Sequence, residues 1–348
     1  MLVDFNVDSD TPLVVPAVPK EMISVSAEGS KTLVKINSSS HTVIQECMRK
    51  AQLLLHQKWK SEDESPATLF GSAIHKALEV FYAGDITART VPKLETLERM
   101  SYGHRVDGEN EILALKSFRA FAEKAKLLTP LPETDKRSLQ NGAWIMHNYF
   151  KAFIDDPYVA YVDESGPFVE RPFTLRIHED ETLIVDIFGT IDAVMQHVTN
   201  KDIIVCDHKT SSYLNFGGSS YFDRAKPNSQ YTGYLMGARE VFKLDTNMFM
   251  VSIVEVKAKP KTARGSAPSF PRQLTSRDDN DYAEYKESVV YYARAYLRAI
   301  ETGVWPIGPV SSCDAYGACS YRMVCSSPKE LRENILKSKF KQEKHETK

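Results

Sequence analysis

The sequence predicts an α/β fold in which a mixed central sheet is flanked by helices, preceded by a helical region and followed by a cysteine-rich segment. Three observations predict it. Apolar residues recur at helical spacing through residues 38–156. From residue 157 the pattern becomes strand-like, with β-branched residues and short polar breaks. Three of the five cysteines lie together, from Cys313 to Cys325.

The composition is that of an ordinary globular protein. Of the 348 residues, 42% are hydrophobic and 26% are charged, and the formal net charge is −2. There is thus no global basic field, and any site for a polyanion must be local. The sequence has neither an apolar run of about 18 residues nor the pattern of a secretory signal near its start. We therefore expect a cytoplasmic protein without membrane contact, whose cysteines are thiols or metal ligands.

The first 156 residues predict an arm and four helices. Residues 1–37 are weakly patterned and predict an extended N-terminal arm with one short strand near residues 32–36. Serines 38–40 can cap a helix that runs to Trp59 and carries Cys47. A second helix, over residues 68–82, carries His75 and ends at Gly84. Two further helices are predicted near residues 110–126 and 136–153, which completes a helical region over residues 38–156.

The remaining residues predict a sheet domain, a cysteine-rich segment and a tail. Strands are predicted over residues 168–177, over the two arms of residues 183–210 and over residues 247–258. Helices are predicted over residues 229–242 and 279–303, with a basic loop over residues 257–272. These elements form a core over residues 157–303. The cysteine-rich segment covers residues 304–326, and the charged tail, a frayed helix or disordered, covers residues 327–348.

Asp192, Asp207 and Lys209 are charged residues within the otherwise apolar strands of residues 183–210. Side chains alternate along a strand, so Asp207 and Lys209 share one face while Cys206 and His208 point to the other. Strand pairing could bring Asp192 beside Asp207. Such charges are costly to bury unless they pair or bind a metal, and carboxylates suit Mg²⁺ or Mn²⁺. A surface ion pair between Asp207 and Lys209 is the simpler alternative.

Two helical features are candidates for the same site. His75 lies beside the apolar stripe of its helix, although a single helical histidine is more often structural. Gln230 and Tyr234 are four residues apart and therefore face the same way. Together they could bind phosphate oxygens or hold Lys209, or Tyr234 could simply pack between helix and sheet.

The cysteines predict a metal site. Cys313, Cys319 and Cys325 are evenly spaced, and Cys47 is a fourth thiol far upstream. Three clustered thiols and one distant thiol can supply the four ligands of a [4Fe–4S] cluster or of zinc. Such a site would fasten the first helix to the cysteine-rich segment. Cys206 reads instead as a buried structural thiol.

Taken together and in this order, the motifs resemble the iron–sulphur branch of the RecB-like PD-(D/E)XK nucleases, which includes the AddB nuclease domain, CRISPR adaptation nucleases and phage exonucleases. The resemblance spans residues 38–325. The matching positions are the helical His75, Asp192 in GTIDAV, the Asp207-His208-Lys209 signature, Gln230 with Tyr234, and the thiols of Cys47, Cys313, Cys319 and Cys325. The gap from Cys313 to Cys319 is wider than the C-x2-C of some relatives. Glu170 is a further candidate, for an acidic position on the first strand of the sheet.

The resemblance implies a restriction-endonuclease-like fold and a metal-dependent DNA exonuclease acting on single strands or DNA ends in recombination or repair. His75, Asp192, Asp207 and the His208 carbonyl would hold Mg²⁺ or Mn²⁺, and Lys209 would position water. Gln230 and Tyr234 would steady the DNA backbone or the lysine. The cluster would be structural, the cell bacterial or phage-infected, and a helicase or recombination protein a possible partner. The alternative is a DNA-binding or scaffolding subunit that keeps the fold but does not cleave.

The basic loop and two aromatic residues are the predicted DNA contacts. Cations of this loop could bind phosphates without sequence preference, or the loop could simply be solvated. Tyr213 and Phe216, near the end of the second arm, could stack unpaired bases or pack within their loop. The predicted cations are Lys257, Lys259, Lys261, Arg264 and Arg272.

Overall fold

A mixed sheet of eight strands forms the centre of the protein. The computed structural model describes residues 22–61, 65–106, 111–126, 131–132, 134–216, 219–262, 265–314 and 318–343. The strands are β1 (Ile23–Glu28), β2 (Lys31–Asn37), β3 (Trp59–Ser61), β4 (Tyr158–Ala160), β5 (Val162–Asp163), β6 (Gly166–Pro167), β7 (Val169–Glu179), β8 (Leu183–His197), β9 (Ile203–Ser211), β10 (Asn215–Phe216), β11 (Ser219–Ser220), β12 (Met248–Glu255), β13 (Arg272–Ser276) and β14 (Phe340–Gln342).

The α-helices are α1 (Ser38–Glu46), α2 (Met48–Ala51), α3 (Pro66–Ala83), α4 (Leu94–Ser101), α5 (Leu113–Ala125), α6 (Leu139–Ala152), α7 (Ser229–Met236), α8 (Asp279–Thr302), α9 (Val310–Asp314), α10 (Arg322–Ser326) and α11 (Arg332–Lys339). Single π-helical turns extend α2 over Gln52–His56 and α7 over Gly237–Val241. Short 3₁₀ turns lie at Ile86–Ala88, Tyr221–Arg224 and Lys329–Leu331.

The sheet has the order β1-β2-β8-β9-β12-β13, and β4 and β7 also pair with β8. The β2–β8 and β9–β12 pairs are parallel, and the other pairs of this sheet are antiparallel. The predicted α/β architecture, a mixed central sheet flanked by helices, is therefore confirmed.

The sheet opens between β8 and β9. On one edge of β8, residues 183–188 pair with β2 and residues 193–196 pair with β9, and no described strand pairs with residues 189–192 on that edge. Likewise, β9 pairs with β8 only up to Cys206, while its pairing with β12 continues to Ser211. We call residues 189–192 and 207–209 the sheet opening. Asp192, Asp207 and Lys209 all belong to it.

Helices cover both faces of the sheet because successive strand residues point to opposite sides. On one face α1, α7 and α8 share an apolar core with Val205 and Val251. On the other face α3, α5 and α6 share a second core with Cys206 and Met250. The prediction that Cys206 is a buried structural thiol agrees with its position in this second core.

The region before α3 differs from the sequence prediction in two ways. Residues 23–37 form the β1–β2 hairpin of the central sheet, rather than an arm with one short strand. Residues 1–21 of the predicted arm lie outside the described residues. The predicted first helix is interrupted at Cys47, whose backbone is extended with φ −165° and ψ 112°. Its helical pattern continues on both sides, so the interruption comes from tertiary contacts described below.

The C-terminal segment packs against the region after α2. Leu53, Tyr321, Val324, Leu336 and Phe340 form a separate small apolar cluster. The strand β14 pairs with β3, so residues 328–342 of the predicted frayed tail are ordered structure. The elements α4, β3, β13 and β14 were not predicted, and the three strands among them are short segments that exist through pairing with another strand. Across the described residues, no helix combines the length and the apolarity that a membrane crossing requires.

Candidate metal centre

The sheet opening contains an ion pair whose carboxylate is buried. Because Asp207 and Lys209 are two residues apart on β9, they lie on one face, and Lys209 Nζ lies 3.0 Å from Asp207 Oδ1 and 2.8 Å from Oδ2. Burial raises the pKa of Asp207 above its usual range, although the Lys209 ammonium opposes this. Burial disfavours the charge of Lys209, but the carboxylates of Asp207 and Asp192 hold its pKa above the usual range. Lys209 therefore stays protonated near neutral pH.

Asp192 links β8 to β9 where their ladder has ended. Its Oδ2 accepts a hydrogen bond of 2.9 Å from the backbone N–H of His208. The same oxygen lies 3.3 Å from His75 Nδ1, which α3 brings in from the other side. The helix can approach closely because a Cβ at Gly71 would already be 3.1 Å from Thr210 Oγ1. Asp192 is therefore the central side chain of the opening.

Glu170 completes a group of three possible metal ligands. One ligand atom each of His75, Glu170 and Asp192 lie within 4.8 Å of one another. Glu170 has a positive φ of 50°, which is uncommon for a residue other than glycine and is typical of strained functional positions. It is also skipped in the β7–β8 ladder, which pairs Val169 and Arg171 on either side of it. Burial, and then the neighbouring Asp192 and Glu79 carboxylates, raise the pKa of Glu170 to about 8.

These groups fit a divalent cation. The excess of negative charge around Glu170 is what a cation would offset, and the set of carboxylate oxygens with one imidazole suits Mg²⁺ or Mn²⁺. Asp207 Oδ2 is buried without a hydrogen bond of normal geometry, although the Lys209 ammonium lies near it. Asp207 is not one of the three residues of this group. Its neighbour along β9, His208, donates its backbone N–H to Asp192, which does belong to the group.

The ring of His208 points away from this group. It stacks on Tyr82, with ring centroids 5.4 Å apart and an angle of 16° between the planes. Burial lowers the pKa of His208 to about 3, so the ring is neutral. Only the backbone carbonyl of His208 remains a candidate ligand, as the sequence resemblance implied.

Gln230 and Tyr234 hold Lys209 from the α7 side. Lys209 Nζ donates to Gln230 Oε1 over 3.3 Å, and Gln230 Nε2 donates to the Tyr234 hydroxyl over 2.9 Å. The start of α7 is fixed by Asn228, whose side chain accepts from the backbone N–H groups of Gln230 and Tyr231. The structure thus brings Gln230 and Tyr234 together with Lys209.

The cysteines of the two chain regions are neighbours. The extended backbone at Cys47 lets its Sγ accept from the Gly308 N–H over 3.2 Å. Cys319 donates its backbone N–H to the Cys313 carbonyl over 2.8 Å. Burial, and then the nearby Cys47, raise the pKa of Cys325. Within the described residues no three of these sulfurs lie inside 4.8 Å of one another, and no thiol is in a disulfide.

The predicted DNA-binding cations have different environments. Lys257 donates to Ser266, Lys259 forms an ion pair of 2.6 Å with Glu98, and Lys261 is exposed. Arg264 lies outside the described residues.

Arg272, a predicted DNA contact, is bound inside the protein. Its guanidinium is bound to the fully buried carboxylate of Asp156, over 2.8 Å from Nη1 and 2.7 Å from Nη2, and Nη2 also donates to Tyr82 over 2.7 Å. Since Tyr82 stacks on His208, this network lies directly behind the sheet opening. No local pattern indicates this network, because Asp156 and Arg272 are 116 residues apart.

A mixed sheet that opens beside an Asp-x-Lys pair and a histidine–carboxylate group is suited to metal-assisted hydrolysis of phosphodiesters. Residues 35–326 match the family model described as the PD-(D/E)XK nuclease superfamily, and the chain belongs to this superfamily, whose nucleases use divalent metals. The predicted nuclease family is thereby confirmed, while its iron–sulphur branch stays a prediction.

A search of curated proteins found no match. Among solved structures, one similar chain is a protein from Eubacterium rectale named "Putative exonuclease", with 13% sequence identity and a TM-score of 0.42, covering 84% of this chain and 89% of that chain.

Proposed function

We propose that the protein is a divalent-metal-dependent deoxyribonuclease that acts as an exonuclease on single-stranded DNA or DNA ends, in recombination or repair. One observation carries the proposal: the sheet opening brings the Asp207–Lys209 pair beside the group of His75, Glu170 and Asp192. Membership in the nuclease superfamily supports the same chemistry.

Each candidate residue in or beside the sheet opening has a role that its environment supports. His75, Glu170, Asp192, Asp207 and the His208 carbonyl would hold the metal, which supplies a Lewis acid and lowers the pKa of bound water when present. Lys209 is protonated, so it acts as a fixed positive charge and a hydrogen-bond donor rather than as a general base. It would orient water and offset the charge of the phosphate.

Gln230 and Tyr234 act through Lys209. Tyr234 fixes the amide of Gln230 so that its oxygen faces the ammonium, and the ammonium is thus held between Gln230 and Asp207. A lysine side chain has many rotamers, and this arrangement selects one of them. Both residues are therefore positioning residues in this proposal.

The activity is tested with end-labelled single-stranded and duplex DNA in the presence of Mg²⁺ or Mn²⁺. We expect stepwise shortening of the label-bearing strand by the parent protein, and no cleavage by Asp207→Asn or Lys209→Gln. The matched control is Lys124→Gln, which removes an exposed lysine of α5 and should cleave normally. A parent protein that binds DNA but never cleaves it would favour the non-cleaving subunit instead, and full activity of both site variants would refute the assignment of the residues.

We also propose that Cys47, Cys313, Cys319 and Cys325 hold a structural [4Fe–4S] cluster, with zinc as the alternative. Four thiols from two chain regions are a suitable donor set, and the break of the helix at Cys47 turns its thiol toward the C-terminal segment. Anaerobically prepared protein should be brown and contain iron. Colourless protein that contains zinc and no iron would refute the cluster.

A further inference from the structure

The chain leaves the sheet opening at an exposed tyrosine. The strand β9 ends at Ser211, whose hydroxyl donates to the Tyr213 carbonyl and accepts from the Tyr213 N–H over 3.1 Å. This turn places Tyr213, which is 61% exposed, directly beyond the strand that carries Lys209. At ~3.3 Å per residue, four residues separate Lys209 and Tyr213 by about 13 Å at most. A strand bound at Lys209 would therefore pass Tyr213 within a few nucleotides.

The loop after β12 leaves the sheet at the same end as the loop after β9. Because β9 and β12 are parallel, Ser211 lies opposite Glu255, and the Val256 N–H donates to the Ser211 carbonyl over 2.7 Å. The chain then continues through Lys257, Lys259 and Lys261. Lysines thus follow one of these parallel strands, and an exposed aromatic ring follows the other.

A single buried side chain joins this loop to a second cationic one. Asn141, which is 5% exposed, donates from Nδ2 to the backbone carbonyls of Lys136 and Lys257, over 2.7 Å each. Its Oδ1 accepts from the Lys259 N–H over 2.7 Å. Every strong hydrogen-bonding group of this amide is therefore used to hold the backbones of lysine residues. The positions of these lysines are set by the fold rather than by a flexible loop.

Lys136 connects the exposed Tyr213 ring to the lysines held by Asn141. Its ammonium lies 5.5 Å from the centroid of the Tyr213 ring, in a cation–π contact. The ring face and the positive charges consequently lie on one surface, next to the sheet opening.

We propose that Tyr213, Lys136, Lys257 and Lys261 form a binding surface for an unpaired nucleic-acid strand, with a base stacked on Tyr213 and the lysines on the phosphates. An aromatic face with neighbouring cations binds single strands without sequence preference, because every base has a face that can stack. Bases inside a duplex have no free face, so the surface selects strands that are already unpaired. The inference deepens the proposed function, since it assigns the form of the substrate at the same site.

The test measures binding without cleavage. A short fluorescent single-stranded oligonucleotide is titrated with the protein in EDTA, and the anisotropy gives the affinity. A stacked base contributes ~1–3 kcal/mol, so Tyr213→Ala should weaken binding by about fivefold to about a hundredfold. Tyr213→Trp should bind at least as tightly as the parent. Replacing Lys136 and Lys257 by Gln should reduce the slope of log affinity against log salt by ~0.7 for each lost phosphate contact.

The control is Tyr291→Ala, which removes a tyrosine of similar exposure (67%) from α8. It should leave affinity unchanged. Unchanged affinity of Tyr213→Ala, an equal loss in Tyr291→Ala, or an equal loss for blunt duplex would each overturn the inference. Loss confined to Tyr213→Ala in a protein that never cleaves would uphold this surface and refute the proposed nuclease activity, so the two failures are distinguishable.

Discussion

The buried Arg272–Asp156 pair allows a stability effect to be calculated. We consider Arg272→Met, which keeps most of the apolar volume and removes the charge. The carboxylate of Asp156 has no solvent exposure and the side chain of Arg272 only 13%. The substitution removes two hydrogen bonds to Asp156 and one to Tyr82, of 2.7–2.8 Å. It leaves the Asp156 carboxylate without its paired guanidinium, and the remaining partners are the Tyr82 hydroxyl, the Tyr158 N–H and the charge of the nearby Arg89.

Removal of one partner from a buried ion pair costs ~3–5 kcal/mol. The free energy of unfolding of a typical domain is only ~5–15 kcal/mol, so Arg272→Met should lose about a fifth of it or more. With an m-value of roughly 1–3 kcal/mol/M in urea, the midpoint of unfolding should fall by about 1 M or more. Asp156→Asn combined with Arg272→Met should recover much of the loss, because the carboxylate that lost its paired guanidinium is then neutral.

The measurement is urea unfolding of the parent, both single variants and the double variant, followed by tryptophan fluorescence. Lys261→Gln is the surface control and should change the midpoint little. A loss below about 1 kcal/mol in Arg272→Met, no larger than that of a surface ion pair, would refute the buried pair. Reduced DNA affinity in a folded Arg272→Met protein of normal stability would instead restore this residue as a DNA contact.

Three further predictions concern protonation and packing. Between pH 4.5 and 8 in metal-free protein, Glu170 is protonated in the folded state, where its pKa is about 8, and ionised in the unfolded state, where its pKa is 4.5. This group therefore makes the free energy of unfolding fall as the pH rises through that range. Glu170→Gln should remove that fall, and it should also reduce the stabilisation that Mn²⁺ gives the parent in thermal unfolding. The second prediction concerns His41, whose pKa burial lowers from 6.5 to about 4. As the pH drops from 6.5 to 4, His41 is protonated in the unfolded state but not in the folded state, so the free energy of unfolding falls. The loss is about 3 kcal/mol at ~1.4 kcal/mol per pH unit, and His41→Phe should abolish it in urea titrations. Gly308→Ala would place a Cβ against the Glu46 carbonyl and 3.0 Å from the Cys47 Cβ, so iron or zinc content should decrease.

Each of these has a result that would contradict it. The Glu170 reasoning fails if EDTA-treated parent and variant have parallel stability curves between pH 5 and 8. The His41 reasoning fails if the variant loses stability in acid as steeply as the parent. For Gly308→Ala, a normal metal content would show that the C-terminal segment need not approach Cys47.

The features predicted from sequence are those that a local pattern specifies. Alternation along β9 was enough to place Asp207 and Lys209 on one face, and the four-residue spacing of Gln230 and Tyr234 was enough to place them together on α7. Family resemblance supplied the order of the motifs. Glu170 was a candidate from the same source, but its left-handed backbone is visible only in the structure.

The features that were missed depend on residues far apart in sequence. The helical pattern around Cys47 is continuous, and the backbone there is extended because the C-terminal segment supplies partners, including the Pro306 carbonyl for Arg49 N–H. Arg272 looked like a loop cation because its partner, Asp156, precedes it by 116 residues. No local pattern reports such a pairing.

The interrupted ladder between β8 and β9 has a consequence for any attempt to make this protein more robust. A sheet gains stability when neighbouring strands stay paired along their whole length, yet here the strands must part for carboxylates from both to face a common space. Mutations that let residues 189–192 pair with a neighbouring strand would be favoured in a screen for heat resistance, and they would close the sheet opening. Thermostable variants that retain activity should therefore carry their changes in the helical layers and none in the sheet opening.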